Sequence, residues 1–196
     1  MRALDSLSAV DYDSAMPVVV YMLPGRFNAT PEDSARRSPP KTLYLDDSAV
    51  VNMELHQPSE YGEVFSGNIE VAKSRPSFVT LAAESTYADT ADGIVVVRAT
   101  ADSVASGADL RLAVIVTEDS MVTQGFLNAR WDNVARRVVP SYDGRPITLA
   151  RGDTLYDTLR FTTIGLNPAQ LGAAVYVRDA NDLSVLQALS VRRLNH

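Results

Sequence analysis

From about residue 77 to its end, the chain alternates between short β-branched or apolar runs and turns of Gly, Asn and Asp. That rhythm limits it to antiparallel sheets, because parallel strands need crossovers of a dozen or more residues. Phe78–Thr86 reads as the first strand. The Ala91-Asp92-Gly93 turn leads into Ile94–Ala101, where Val95, Val97 and Ala99 alternate with Val96, Arg98 and Thr100. Leu110–Thr117 (LRLAVIVT) places Leu110, Leu112, Val114 and Val116 on one face. A long excursion spans 118–150. Thr154–Thr163 follows as a strand, then Ala173–Arg178, an Asn181-Asp182 turn and Val185–Val191 as a closing hairpin. Many short strands separated by polar turns predict an all-β sandwich over 77–196.

Residues 1–75 have a different texture. Met1–Val10 sets Leu4, Leu7 and Val10 on one helical face, and Met16–Leu23 (MPVVVYML) is apolar throughout, as a strand buried on both sides would be. Thr30-Pro31-Glu32-Asp33 has the residues of a helix start: an N-cap threonine, proline at the first position, and acids in the first turn. Pro39-Pro40 ends whatever precedes it. Thr42–Leu45, the Asp46-Asp47 turn and Ala49–Met53 suit a hairpin. Pro58–Lys73 predicts a helix with Tyr61, Val64, Phe65, Ile69 and Ala72 apolar, weakened by Gly62 and Gly67. The boundary is expected at Ser74–Ser77, where Arg75-Pro76 stops that helix before a strand.

Composition narrows function. The chain of 196 residues has no cysteine, which removes disulfides, a thiol nucleophile and cysteine-bound metals. Its two histidines, His56 and the terminal His196, argue against a histidine-based triad or a multi-histidine metal site. A net charge of −6 argues against a nucleic-acid partner. The pairs Arg36/Arg37, Arg136/Arg137 and Arg192/Arg193 are expected to be solvated edge or loop charges. No run reaches the roughly 20 apolar residues of a membrane span, and no signal peptide is evident.

Few residues suggest a site. Asp46-Asp47, Glu118-Asp119 and Asp179 with Asp182 are acidic groups at strand ends, where aspartate commonly closes turns. Glu118 and Asp119 are the best candidates should a cation bind. Trp131, with Phe126 and Tyr142 in the excursion, is the candidate partner contact, although a lone tryptophan more often plugs a core. Ser6, Ser8 and Ser66 lack a base, and Gly25-Arg26 lacks the other glycines of a phosphate loop. No catalytic residue and no cofactor is expected.

The closing segment AAVYVRDANDLSVLQALSV resembles the last hairpin of the outer-membrane-protein-28-related family of secreted or surface proteins from Bacteroidetes-type bacteria. IVTED at 115–119 and NARWDNVARRVVP at 128–140 resemble that family too, as do RALDSL, VVVYML, PEDSARR and TLYLDD in the first region. The resemblance implies an α+β thioredoxin-like segment over 1–75, followed by an immunoglobulin-like sandwich over 77–196. It also implies a Cys-x-x-Cys redox motif, which this chain lacks. Lys41 further separates Pro40 from Thr42, where the family pattern would place proline directly before threonine. Thiol–disulfide chemistry is therefore not expected.

Because the chain starts at about the helix that follows the redox motif in such proteins, the central strand of the thioredoxin-like sheet is expected to be missing. The thioredoxin-like segment is read as incomplete on that account. The resulting expectation is a non-enzymatic extracellular or outer-membrane-surface protein. It would be a filament or surface-layer subunit whose partners are other copies of itself or surface proteins, joined by strand donation. Two alternatives stand beside it: an accessory module binding a peptide or glycan through 118–150, and a truncated remnant of a thiol–disulfide oxidoreductase.

Overall fold

A computed structural model describes residues 42–45, 49–52, 78–104, 107–122, 130–141, 143–181 and 185–195. Two short strands, β1 (Thr42–Leu45) and β2 (Ala49–Asn52), pair antiparallel with Thr42 opposite Asn52, as their sequence predicts. The helices and the strand expected elsewhere in 1–75, and the boundary at 74–77, lie outside the described residues.

From Val79 onward the described chain is built on strands: β3 (Val79–Ala88), β4 (Asp92–Ala101), β5 (Leu110–Glu118), β6 (Met121–Val122), β7 (Arg130–Trp131) and β8 (Val134–Val139). They are followed by β9 (Arg145–Pro146), β10 (Thr154–Thr162), β11 (Leu171–Asp179) and β12 (Val185–Val191), with a 3-10 turn at Pro168–Gln170 before β11. One antiparallel sheet has the order β10-β4-β3. The other has the order β12-β11-β5-β8, with β9 beside the start of β5 on the same side as β8. The chain makes the β3–β4 hairpin, crosses to β5, β8 and β9, returns for β10, and crosses back for β11 and β12.

Alternation explains why the two sheets stack. On β4, Val95, Val97 and Ala99 are buried while Ile94, Val96, Arg98 and Thr100 stay half-exposed. They meet Leu110, Leu112, Val114 and Val116 of β5 and Val175 and Val177 of β11 in one core, joined by Leu81, Leu159 and Phe161. Burying such side chains contributes roughly 1.5–3 kcal/mol each. Gly93 lies within β4, and the ring of Phe161, its cross-strand partner, covers the position a Cβ would take. The expected turn at 91–93 lies slightly earlier. Asp89 makes it, accepting the N–H groups of Ala91 at 2.7 Å and Asp92 at 2.8 Å.

The excursion over 118–150 is not one long loop. It holds β6 and β7, which pair with each other, and β8 and β9, which extend the second sheet. A β-bulge hides β8 from a period-two reading. Val116 faces Arg137 but Thr117 faces Ala135, so Arg136 is the extra residue. One extra residue shifts the alternation, which lets Val134 and Val139 both be buried although they lie an odd number of positions apart. A second bulge, between Ala83 and Ser85 in β3, likewise allows Val79 and Leu81 at one end and Thr86 and Ala88 at the other to be buried.

Candidate interaction surfaces

The base of the excursion is fastened by buried charge. Glu118 ends β5, and the bulge turns Arg136 toward it, so that the guanidinium Nη1 donates to the Glu118 carboxylate. Both side chains are below one-tenth exposed. The other Glu118 oxygen accepts the Asn167 N–H at 3.1 Å, which ties the loop before β11 to the same point. Asn167 in turn caps the 3-10 turn by accepting the Ala169 N–H. Two further carboxylates close the turns on either side: Asp119 accepts from the Asn133 N–H and Asp132 from the Ser120 N–H, each at 2.8 Å. Ser120 and Asn133 both adopt positive φ, 61° and 55°, so the two turns lock a tight reversal around β6 and β7.

These contacts revise one expectation and define another. Arg136 is not a solvated edge charge, because the bulge carries it inward to a buried partner. Arg137 is half-buried and donates to the Ile164 carbonyl at 3.1 Å, whereas Arg192 and Arg193 are exposed as expected. Glu118 and Asp119, the candidate cation ligands, have oxygens engaged by protein donors. Among the described residues no cluster of three or more His, Cys, Asp or Glu gathers for a metal. Trp131 is placed by its backbone in β7, opposite Met121. Its side chain, and Phe126 and Tyr142 altogether, lie outside the described residues, as do His56 and Gly25-Arg26.

Sequence reasoning also missed Arg178 and Asp157. Arg178 follows the apolar run of β11, is buried, and donates to the Asp143 carbonyl at 3.2 Å. Asp157 lies midway along the edge strand β10 with its side chain only 14% exposed, ion-paired to Arg145 of β9. A charge among the inward-facing positions of an otherwise threonine-rich strand was the only signal for it.

The two sheets present contrasting outer faces. Over β10-β4-β3 the surface is polar: Thr100 and Thr154 share a hydroxyl contact at 3.2 Å, Glu84 accepts from Arg98 at 2.6 Å, and Tyr156 is 64% exposed. At the end of β3, hydrogen bonds from the N–H groups of Asp92 and then Ala91, and from the Tyr87 hydroxyl, hold the Asp89 carboxyl below its usual range. The same contact raises the Tyr87 phenol. The Arg111 guanidinium lowers Asp109 in the same way. The outer face of the five-stranded sheet is instead apolar: Ala113, Ile115, Ala135, Ala174, Tyr176 and Val185 are all buried, with Val138 and Ala188 beside them. Among the described residues no helix is long and apolar enough to cross a membrane.

No family model matches the chain, and no curated protein matches it either. Among solved structures, HBP35 of Porphyromonas gingivalis is similar at a TM-score of 0.61 and 10% identity, over 78% of this chain and 52% of that one. The chain thus spans about half the length of that protein. A domain of the outer membrane lipoprotein Omp28 from the same organism gives a TM-score of 0.45 at 15% identity, over 62% of this chain and 91% of that domain. At 10% identity, what the chain has in common with HBP35 is the fold.

Proposed function

We propose that this chain is a non-enzymatic structural or assembly protein of the bacterial surface, an immunoglobulin-like sandwich that makes its contacts through the β6–β7 pair. The fastening of that pair carries the reading. A buried ion pair is weak evidence for stability, since desolvation offsets most of its attraction. Its value lies in fixing position, and here Glu118 and Arg136 fix the start of the β6–β7 pair, whose second strand holds Trp131. Rigid mounting on a sandwich scaffold is how binding segments are commonly held.

The strand order supports the immunoglobulin-like assignment: β3, β4 and β10 form one sheet, and β5, β8, β11 and β12 the other. The sequence resemblance to the outer-membrane-protein-28-related family supports a surface location, a thioredoxin-like ancestry for 1–75, and the loss of its thiol chemistry. Self-association is read as side-chain contact rather than strand addition at β10, where the inward Asp157 would be stranded by a new neighbour.

Sedimentation velocity over a wide concentration range, with Trp131 emission followed in parallel, tests the reading. A rise in sedimentation coefficient with a blue shift, both lost in Trp131→Ala, is expected. A monomer at every concentration with unchanged emission refutes assembly. An emission change on adding an envelope glycan or peptide to that monomer would favour the accessory binding module instead.

A further inference from the structure

Phe78, where the chain enters β3, and the β6–β7 pair lie at opposite ends of the strands. The Phe78 carbonyl accepts the Asp102 N–H at 2.9 Å, where β4 has just ended. From there β3 runs from Val79 to Ala88, about 30 Å. The β6–β7 pair follows Glu118, the last residue of β5. Leu171, opposite Glu118, accepts the Leu194 N–H at 2.9 Å, and the next residue, Asn195, accepts the Ala88 N–H at 2.7 Å. Glu118 therefore lies at the Ala88 end of β3, and a full strand length separates the chain entry from the contact pair.

A pull between those two points runs along the strands. Hydrogen bonds between antiparallel strands lie perpendicular to them. A strand drawn along its own axis therefore strains its whole ladder at once, whereas a strand peeled from one end loses its bonds singly. Drawn from Phe78, β3 is resisted along the register from Val79 with Ala101 to Ala88 with Gly93. Drawn from the other end, β5 is resisted by β11, from Leu110 with Asp179 to Glu118 with Leu171.

The charges where β6 begins share out that pull. β6 leaves β5 and β7 leads into β8, so a force on the pair draws both strands the same way. The Glu118–Arg136 ion pair ties β5 to β8, and the Asn167 N–H on the other Glu118 oxygen adds the segment leading into β11. Three neighbouring strands of one sheet are thus fastened together where tension enters. At the same end Leu194 is buried in the core and Asn195 reaches across to β3, which joins the second sheet to the first.

We infer that the sandwich is a tension-bearing strut, which carries force in shear between the chain preceding Phe78 and a partner held at β6–β7. This rests on the reading of β6–β7 as the contact, and it assigns the buried Glu118 cluster a mechanical role.

Single-molecule force spectroscopy on the full chain tests it, and the absence of cysteine makes introduced handles unique. Phe78→Cys with Val122→Cys pulls along the strands. Phe78→Cys with Asp102→Cys, at one end of neighbouring strands, peels β3 from β4. The first pair should need a severalfold higher unfolding force than the second, with a released length that matches the residues between the handles. Adding E118M/R136M should lower the force for the first pair and leave the second unchanged, whereas a general loss of stability would lower both. Equal forces for the two pairs would overturn the strut, and an equal effect of E118M/R136M on both would overturn the role of the Glu118 cluster. Sedimentation velocity judges the contact reading separately, so equal forces in a chain that still assembles would remove the strut alone.

Discussion

Arg136→Met offers the sharpest test of how the β6–β7 pair is anchored. The substitution leaves the Glu118 carboxylate below one-tenth exposed with, among the described residues, only the Asn167 N–H, at 3.1 Å, to compensate it. Breaking a buried pair from one side costs about 3–5 kcal/mol, because the remaining charge stays desolvated. At about 2.1 cal/mol/K of unfolding entropy per residue, a sandwich of about 120 residues loses roughly 12–20 °C in midpoint for that cost. The double variant E118M/R136M removes both charges and forfeits mainly the hydrogen bond to Asn167, so it should lie only about 1 kcal/mol below the parent. Urea unfolding of the parent, both single variants and the double variant closes the cycle. A loss under 1 kcal/mol for Arg136→Met, or a double variant no better than the singles, would refute the argument. Arg137→Met is the control. Half-buried and bonded to carbonyl oxygens, it should cost less than about 1.5 kcal/mol.

Gly93→Ala should destabilise by about 1–3 kcal/mol, since a Cβ there meets the Phe161 ring, and adding Phe161→Leu should recover part of it in chemical denaturation. The Asp89 carboxyl is held below its ordinary value, so its contribution is fully present above about pH 4 and disappears as pH falls through the lower folded-state value. Asp89→Asn should flatten the acid limb of a stability-versus-pH curve without steepening it at neutral pH. Asp157→Val removes the inward charge from the edge strand, and should raise thioflavin-positive association relative to the parent on prolonged incubation.

The strand rhythm after residue 77, the closing hairpin and the buried stripe of β5 could be read directly from the sequence, because period-two alternation is a local property of the backbone. The hairpin of β1 and β2 was legible for the same reason. The cysteine-free composition by itself removed thiol chemistry. Only the tertiary structure revealed β8, since a bulge at Arg136 breaks the alternation that would have announced it, and a bulge is settled by the partner strand. Tertiary packing likewise decided that Arg136 and Arg178 are buried, because an arginine's burial depends on what lies across from it and not on its neighbours in sequence. The same holds for the second apolar face of the five-stranded sheet. LRLAVIVT shows one apolar face of β5, and only the packed molecule shows that Ala113 and Ile115 on its other face are buried as well.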